Sequence, residues 1–266
     1  NGEFEFTDVS ESAGLQLGDW DWWGASFADY DHDGFLDLYA AKYYASPGNT
    51  DPLKQSILYH NNGDGTFTDV TTTAGVELLT QAVFQPVWFD FDHDGWEDLF
   101  LVIDRLLWTN RLYKNNHNGT FTDVSASSGL GILMNSMSGT VGDYDNDQDF
   151  DVYVTNTTPQ NYLFRNNGDE TFDITTEEAG LLVEINSWGA CWMDCQNNGL
   201  EDIFVGTTGF LLGPQQNKFY LNNGNATFTP ANNAVGLAGD FSPSFVCAIG
   251  DIDNDGYFDF ATNNND

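Results

Sequence analysis

The run Asp90-Phe91-Asp92-His93-Asp94-Gly95-Trp96-Glu97-Asp98 decides the fold, because the chain writes it five times. The other copies are Asp29-Tyr30-Asp31-His32-Asp33-Gly34-Phe35-Leu36-Asp37, Asp143-Tyr144-Asp145-Asn146-Asp147-Gln148-Asp149-Phe150-Asp151, Asp194-Cys195-Gln196-Asn197-Asn198-Gly199-Leu200-Glu201-Asp202 and Asp251-Ile252-Asp253-Asn254-Asp255-Gly256-Tyr257-Phe258-Asp259. Their starts lie 61, 53, 51 and 57 residues apart. A fixed period of this size marks a repeat architecture in which each unit is one supersecondary structure.

Outward from each loop the pattern is that of strands. The sixth, fourth and second positions before the first Asp are large, small and large: Trp23, Ala25, Phe27; Phe84, Pro86, Trp88; Met137, Gly139, Val141; Trp188, Ala190, Trp192; Phe245, Cys247, Ile249. Alternate residues share one face of a strand, and the recurrence of large side chains makes this a core position, so Trp23 is expected in the core. After each loop comes a short apolar run, then a Leu-Tyr-x-Asn-Asn phrase (Leu58, Leu112, Leu163, Phe219), then a Phe-Thr-Asp-Val-like phrase (Phe67, Phe121, Phe172, Phe228). The Asn-Gly and Asp-Gly steps between them are hairpin turns. Four short strands per unit without helical periodicity describe a propeller blade. The expected fold is all-β, a β-propeller of four-stranded blades forming a single domain over 1–266. It has either five blades, four complete and a fifth closed by the N-terminal strand Asn1–Val9, or is part of a longer propeller. The chain opens at Asn1 without a signal-peptide pattern, which reads as a mature chain or a fragment.

The loops carry oxygen at positions 1, 3, 5 and 9, with a backbone carbonyl at position 7. The expected metal ligands are therefore Asp29, Asp31, Asp33, Phe35 and Asp37; Asp90, Asp92, Asp94, Trp96 and Asp98; Asp143, Asp145, Asp147, Asp149 and Asp151; Asp194, Gln196, Asn198, Leu200 and Asp202; and Asp251, Asp253, Asp255, Tyr257 and Asp259. Ca2+ takes 6–8 oxygens in flexible geometry, Mg2+ demands a stricter octahedron, and soft metals want Cys or His. An EF-hand would need Glu at position 12, where this chain has Ala40, Leu101, Val154, Val205 and Thr262. Three to five Ca2+ ions are expected. The Asp194–Asp202 loop should be the weakest site, since Gln196 and Asn198 replace two carboxylates. Gln148 replaces the glycine of the third loop and strains its turn.

These phrases resemble the FG-GAP/VCBS repeat family, and are closest to its cartilage-acidic-protein-like, ASPIC/UnbV-associated branch, with integrin α-subunit propellers as more distant relatives. The resemblance implies calcium in the first hairpin of each blade and a secreted or cell-surface protein. It does not imply one activity.

Charge agrees with a cation-binding chain. The 41 acidic residues against 7 basic ones leave a formal charge of -34, yet aromatics reach 15%. An acidic disordered tail would be aromatic-poor, and nucleic acid or an anionic membrane surface would be repelled. Four full loops supply four carboxylates each and the fourth supplies two. So 18 of the 41 acidic residues are expected ligands, and five Ca2+ ions would bring -34 to -24. No apolar run is long enough to insert in a membrane. No nucleophile elbow or zinc-spaced His pair occurs among the four His, so the expectation is a binding protein rather than an enzyme. Its partner would be a protein or carbohydrate ligand at the cell surface or matrix, with self-assembly through the incomplete last blade as a further route. A lectin-like role and an accessory domain of a polysaccharide-active enzyme are the alternatives.

Four smaller features complete the reading. Asn118, Asn156 and Asn225 begin glycosylation sequons. Trp20 and Trp22 lie in a connecting segment where stacking on a sugar or a protein would be possible. The segment Tyr43–Gln55 is the longest insertion, a contact surface by its loop character. Cys191 and Cys247 fall on corresponding strands of neighbouring units, expected too far apart to bond, and with Cys195 read as small buried residues.

Overall fold

The computed structural model describes residues 6–15, 22–43, 48, 55–79, 81–157, 160–208, 215–237 and 241–264. Each repeat folds as an antiparallel sheet in chain order. Blade 1 holds β1 (Trp22–Ala28), β2 (Asp37–Lys42), β3 (Ile57–Asn61) and β4 (Phe67–Asp69), and blade 2 holds β5 (Ala82–Phe89), β6 (Asp98–Asp104), β7 (Arg111–Asn115) and β8 (Phe121–Asp123). Blade 3 holds β9 (Ser136–Gly142), β10 (Asp151–Asn156), β11 (Tyr162–Asn166) and β12 (Phe172–Ile174), and blade 4 holds β13 (Ser187–Met193), β14 (Asp202–Thr207), β15 (Lys218–Asn222) and β16 (Phe228–Pro230). Blade 5 has only β17 (Ser244–Gly250) and β18 (Asp259–Asn264) among the described residues.

The first strands of all five sheets line one shared cavity, and each sheet packs on the next in sequence. That radial arrangement is a β-propeller. The second strands are its inner core: β2, β6, β10 and β14 are buried along their whole length. Both faces of such a strand meet a neighbouring sheet, so the run reads as continuously apolar rather than alternating.

The second residue of each acidic loop bridges to the following blade. Tyr30 lies in a stacked arrangement with Trp88, centroids 6.2 Å apart, and also meets Phe121 of blade 2. Phe91 meets Phe172 of blade 3, and Tyr144 meets Phe228 of blade 4. Beside each runs a hydrogen bond: the side-chain amides of Asn115, Asn166 and Asn222 donate to the carbonyls of Tyr30, Phe91 and Tyr144 at 2.8, 2.8 and 2.7 Å. The Asn of the Leu-Tyr phrase is thus a clamp between blades as well as a turn residue.

Single-turn helices α1 (Thr71–Ala74) and α2 (Ser125–Ser128) follow the fourth strands of blades 1 and 2, a feature too short for a periodicity to announce. Each is capped by a glycine with positive φ, Gly75 and Gly129. A Cβ on Gly129 would meet the Phe172 carbonyl of the next blade at 2.8 Å, so glycine is needed there for both backbone conformation and close approach.

The N-terminal stretch differs from expectation. Residues 6–9 form no strand, Phe6 is 96% exposed, and the β17–β18 sheet has no third member among the described residues. Residues 1–5 of the expected strand lie outside the described residues. The described stretch is tied to blade 1 instead: the Phe67 amide donates to the Ala13 carbonyl at 2.8 Å, as the Phe228 amide does to Ala179 between blades 3 and 4. It occupies the place of the turn that leaves a preceding fourth strand. The other end is correspondingly open. A Cβ on Gly236 would meet nothing within 4 Å, and Ile252, the fifth counterpart of Tyr30, is 76% exposed.

The residues six before each loop do not enter the cores between blades. Trp23, Phe84, Met137, Trp188 and Phe245 line the axial cavity, of about 470 Å³. Trp23, Phe84, Trp188 and Phe245 touch in series, edge to face, with centroids 5.0–5.9 Å apart. Trp23 remains 54% exposed, where the repeat pattern placed it in the core.

Candidate functional site

Each acidic loop joins the first two strands of its blade, and the same hydrogen bonds shape all five. The carboxylate at position 1 accepts from the backbone amides of positions 5 and 6: Asp29 from Asp33 and Gly34 at 3.0 Å each, Asp143 from Asp147 and Gln148 at 3.0 Å each, and Asp90, Asp194 and Asp251 likewise. The side chain at position 5 accepts from the amide of position 7, at 2.8–2.9 Å in every loop. Positions 4 and 6 take left-handed backbone, with φ from 52° to 61° at His32, His93, Asn146, Asn197 and Asn254. Gln148 holds φ 78° where the first, second and fifth loops have glycine at 89°. A side chain in this region is strained, as expected for that substitution.

Position 9 is the structural anchor. Asp37, Asp98, Asp151 and Asp202 have no exposed surface. Each ties the loop to two strands, accepting from the amide of loop position 2 and from the Asn that ends the third strand. For Asp98 these donors are Phe91 at 3.1 Å and Asn115 at 2.7 Å, and Asp37, Asp151 and Asp202 repeat the pair. Asp259 has only the Ile252 amide, at 2.9 Å, and is exposed, because blade 5 shows no third strand among the described residues.

Carboxylates so crowded resist ionisation. Burial pushes Asp37 up to about 6, Asp98 to about 7 and Asp151 to about 8, with loop neighbours Asp31, Asp92 and Asp145 adding to the effect. Desolvation and the charges of Asp147 and Asp143 also raise Asp145. A cation in the loop would reverse this cost.

The donors converge. Ligand atoms of Asp29, Asp31 and Asp37 lie within 4.8 Å of one another, as do those of Asp90, Asp92 and Asp94, of Asp143, Asp145 and Asp151, and of Asp251, Asp253 and Asp255. Asp92 Oδ1 and Asp145 Oδ1 are shielded from solvent and accept no hydrogen bond. A buried carboxylate oxygen without a partner is costly. An all-oxygen donor set with such orphaned atoms fits a hard divalent cation, and calcium best for its tolerance of ligand number. In the fourth loop the amide of Asn198 donates to Gln196 Oε1 at 3.2 Å, so two former ligand positions satisfy each other. Cys195 adds a thiol donor to Asp202 at 2.8 Å.

Two side chains beside the loops escaped the repeat reading. His60 and Lys114 follow the Leu-Tyr phrase of blades 1 and 2 and reach the carboxylates of their own loops: His60 lies 3.2 Å from both Asp31 and Asp37, and Lys114 pairs with Asp92 and with Glu170 of blade 3. A basic residue on the strand beside a loop of four or five acids is the signal the sequence offers. His117 stands where blades 1 and 3 have Gly63 and Gly168; it stacks on Trp96 and meets Asp94 at 2.6 Å.

The remaining candidates divide. Asn118 and Asn225 are exposed in hairpin turns. Asn156 is corrected: it is fully buried in β10, its amide donating to the Gln160 carbonyl at 2.9 Å and its Oδ1 accepting from Asn135, so no acceptor is presented there. Trp22 packs in the blade 1 core cluster under the Lys42 ammonium rather than offering a free face. Trp20, and residues 44–47 and 49–54 of the insertion, lie outside the described residues. The three cysteines are free, Cys191 buried and Cys195 and Cys247 half-buried.

Comparison with known proteins agrees with this geometry. The family model described as FG-GAP-like repeat matches residues 44–101, 90–154, 143–205 and 194–262. Human cartilage acidic protein 1 is 29% identical over 163 residues, which is 56% of this chain and 24% of that protein, so the chain spans about a quarter of its relative's length. A solved Agrocybe aegerita lectin, described as recognising non-reducing terminal N-acetylglucosamine, superposes with a TM-score of 0.49 at 18% identity, covering 90% of this chain and 59% of the lectin. The last three matched segments each begin at the first Asp of one acidic loop and end just beyond the next, and the first segment ends just beyond the second loop, so that the repeat defined by the loops and the repeat defined by the family coincide: the chain belongs to the FG-GAP-like repeat family.

Proposed function

We propose that this chain is a calcium-binding propeller domain over 1–266 that works outside the cell as a structural or adhesive binding module. The observation that carries the reading is the pair of buried, unpartnered carboxylate oxygens on Asp92 and Asp145, each set among the carboxylates of its own loop. Asp29, Asp31, Asp33 and Asp37, with the carbonyl of Phe35, would hold the ion of blade 1, and the corresponding positions those of blades 2, 3 and 5. Three to five ions are expected, with the Gln196–Asn198 loop weakest. The calcium would neutralise the loops and couple metal binding to folding.

The extracellular setting is supported by the demand for calcium, which weak loop sites meet only where the ion is abundant, and by the likeness to a cartilage protein. No described helix is long and apolar enough to cross a membrane. Replacing Asp145 and Asp147 together by Asn should remove one ion from the stoichiometry measured by equilibrium dialysis while the sheet spectrum in circular dichroism persists. An unchanged ion count would contradict the loop assignment.

A carbohydrate ligand is the second reading. It is favoured by the half-exposed Trp23 at the axial cavity, where an apolar ring face borders polar backbone. Glycan-array binding lost on Trp23→Ala would support it.

A further inference from the structure

The residue after the Leu-Tyr phrase changes from blade to blade: His60, Lys114, Arg165 and Leu221. It sits on the third strand beside its own acidic loop, and its chemistry alters what that loop can hold. In blade 2 the Lys114 ammonium already supplies a cation to Asp92, and Glu170 Oε1 holds it from blade 3 at 2.6 Å. In blade 3 Arg165 turns to Asn167 Oδ1 at 3.3 Å and Asp173 at 3.6 Å. Leu221 carries no donor.

Blade 1 is different in kind. His60 Nδ1 lies 3.2 Å from Asp31 Oδ2 and 3.2 Å from Asp37 Oδ1, and its Nε2 lies 4.0 Å from Asp33 Oδ2. The Nδ1 atom is shielded from water, yet it makes no hydrogen bond despite these neighbours. Ligand atoms of Asp31, Asp33 and His60 fall within 4.8 Å of one another, and Asp31 also belongs to the Asp29–Asp31–Asp37 group. Among the described residues this is the one such convergence that includes a nitrogen.

Nitrogen changes the preference of a site. Calcium and magnesium take oxygen, whereas imidazole favours the later first-row divalent ions. The geometry points to blade 1 as a mixed nitrogen–oxygen site for a first-row transition cation of the Zn2+ or Co2+ class, bound by His60 with Asp31, Asp33 and neighbouring loop carboxylates, while the other loops remain oxygen sites. The inference rests on the reading that the loops hold cations, and adds that one of them selects a different class.

Co2+ is the probe, because its visible absorption reports its ligands. The whole chain is titrated with Co2+ in the presence of excess Ca2+, alongside His60→Gln. The unaltered protein should retain one Co2+ against calcium, and the variant should bind it at least about tenfold more weakly. Calcium should raise the melting temperature of both proteins, which also shows that the variant folds. In the unaltered protein, bound Co2+ should further produce a paramagnetically shifted imidazole proton resonance. Equal Co2+ affinity in both proteins, or no shifted imidazole resonance, overturns the blade 1 assignment alone. If neither calcium nor cobalt moves the melting temperature of the unaltered protein, the loop reading falls and this inference with it.

Discussion

Asn115 of blade 2 donates its side-chain amide to the backbone carbonyl of Tyr30 in blade 1 at 2.8 Å. The same amide also reaches the Glu97 carbonyl of its own loop at 3.1 Å. One side chain thus closes a hairpin within its blade and fastens that blade to the one before. The carbonyl it satisfies belongs to the residue whose ring fills the seam, so polar and apolar contacts between blades share a single address.

Removing this clamp should therefore cost more than removing its counterpart in blade 1. Asn115→Ala leaves a buried carbonyl unsatisfied, worth about 1–3 kcal/mol. Among the described residues the Asn61 side-chain amide donates only to Leu36 of its own loop, and Asn61 is more exposed. Urea denaturation in calcium should show Asn115→Ala clearly less stable than Asn61→Ala; equal losses would refute the inter-blade role.

The seam rings permit a parallel comparison. Tyr30→Ala deletes a buried ring between Trp88 and Phe121 and should cost about 3–5 kcal/mol. Ile252 holds the same loop position in blade 5 but is 76% exposed, so Ile252→Ala should change stability by no more than about 0.5 kcal/mol. A large loss at Ile252 would mean that its side chain is covered in solution.

Glycine substitutions should separate backbone conformation from crowding. Gly129 and Gly236 both have positive φ, 87° and 78°. A Cβ at Gly129 meets the Phe172 carbonyl at 2.8 Å, and one at Gly236 meets nothing within 4 Å. Gly236→Ala should cost only the left-handed penalty of about 1–2 kcal/mol, and Gly129→Ala distinctly more. Thermal melts of the two variants side by side decide this.

The pH dependence should change sign with metal. Asp37, Asp98 and Asp151 are raised to about 6, 7 and 8 by burial. The folded chain holds these protons more tightly than the unfolded chain, so their contribution is complete below the ordinary carboxylate range and is lost as pH rises through 6 to 8. Metal-free protein should melt lower at about pH 8.5 than at about pH 5.5. Calcium competes with the same protons, so its stabilising shift should grow over that window. Metal-free protein that melts higher at the alkaline end would contradict the assignment.

Much of this fold is legible in sequence because three phrases recur in fixed order, and a repeated loop can only be the same loop. The four complete blades, the alternation of first strands and the convergence of loop carboxylates follow from that. What escaped depends on neighbours. Periodicity places Trp23 on a strand face, but only the assembled ring shows that this face looks onto the axis. The Asn156 sequon is legible as a motif, but β10 buries it as a second strand covered on both sides. His60 and Lys114 look like turn-flanking residues until the third strand is laid against the first hairpin. The N-terminal phrase matches a fourth strand, yet the described part of it serves blade 1 through Ala13 and Phe67.

The central claim is that the acidic loops are cation sites on which the fold depends. Calorimetric titration of chelator-stripped protein with Ca2+, paired with thermal unfolding of the same samples, tests it most directly. The account predicts three to five bound ions and a melting temperature that climbs with free calcium, as expected for a ligand that binds only the folded chain. No binding heat, together with an identical melting temperature in chelator and in calcium, would contradict it.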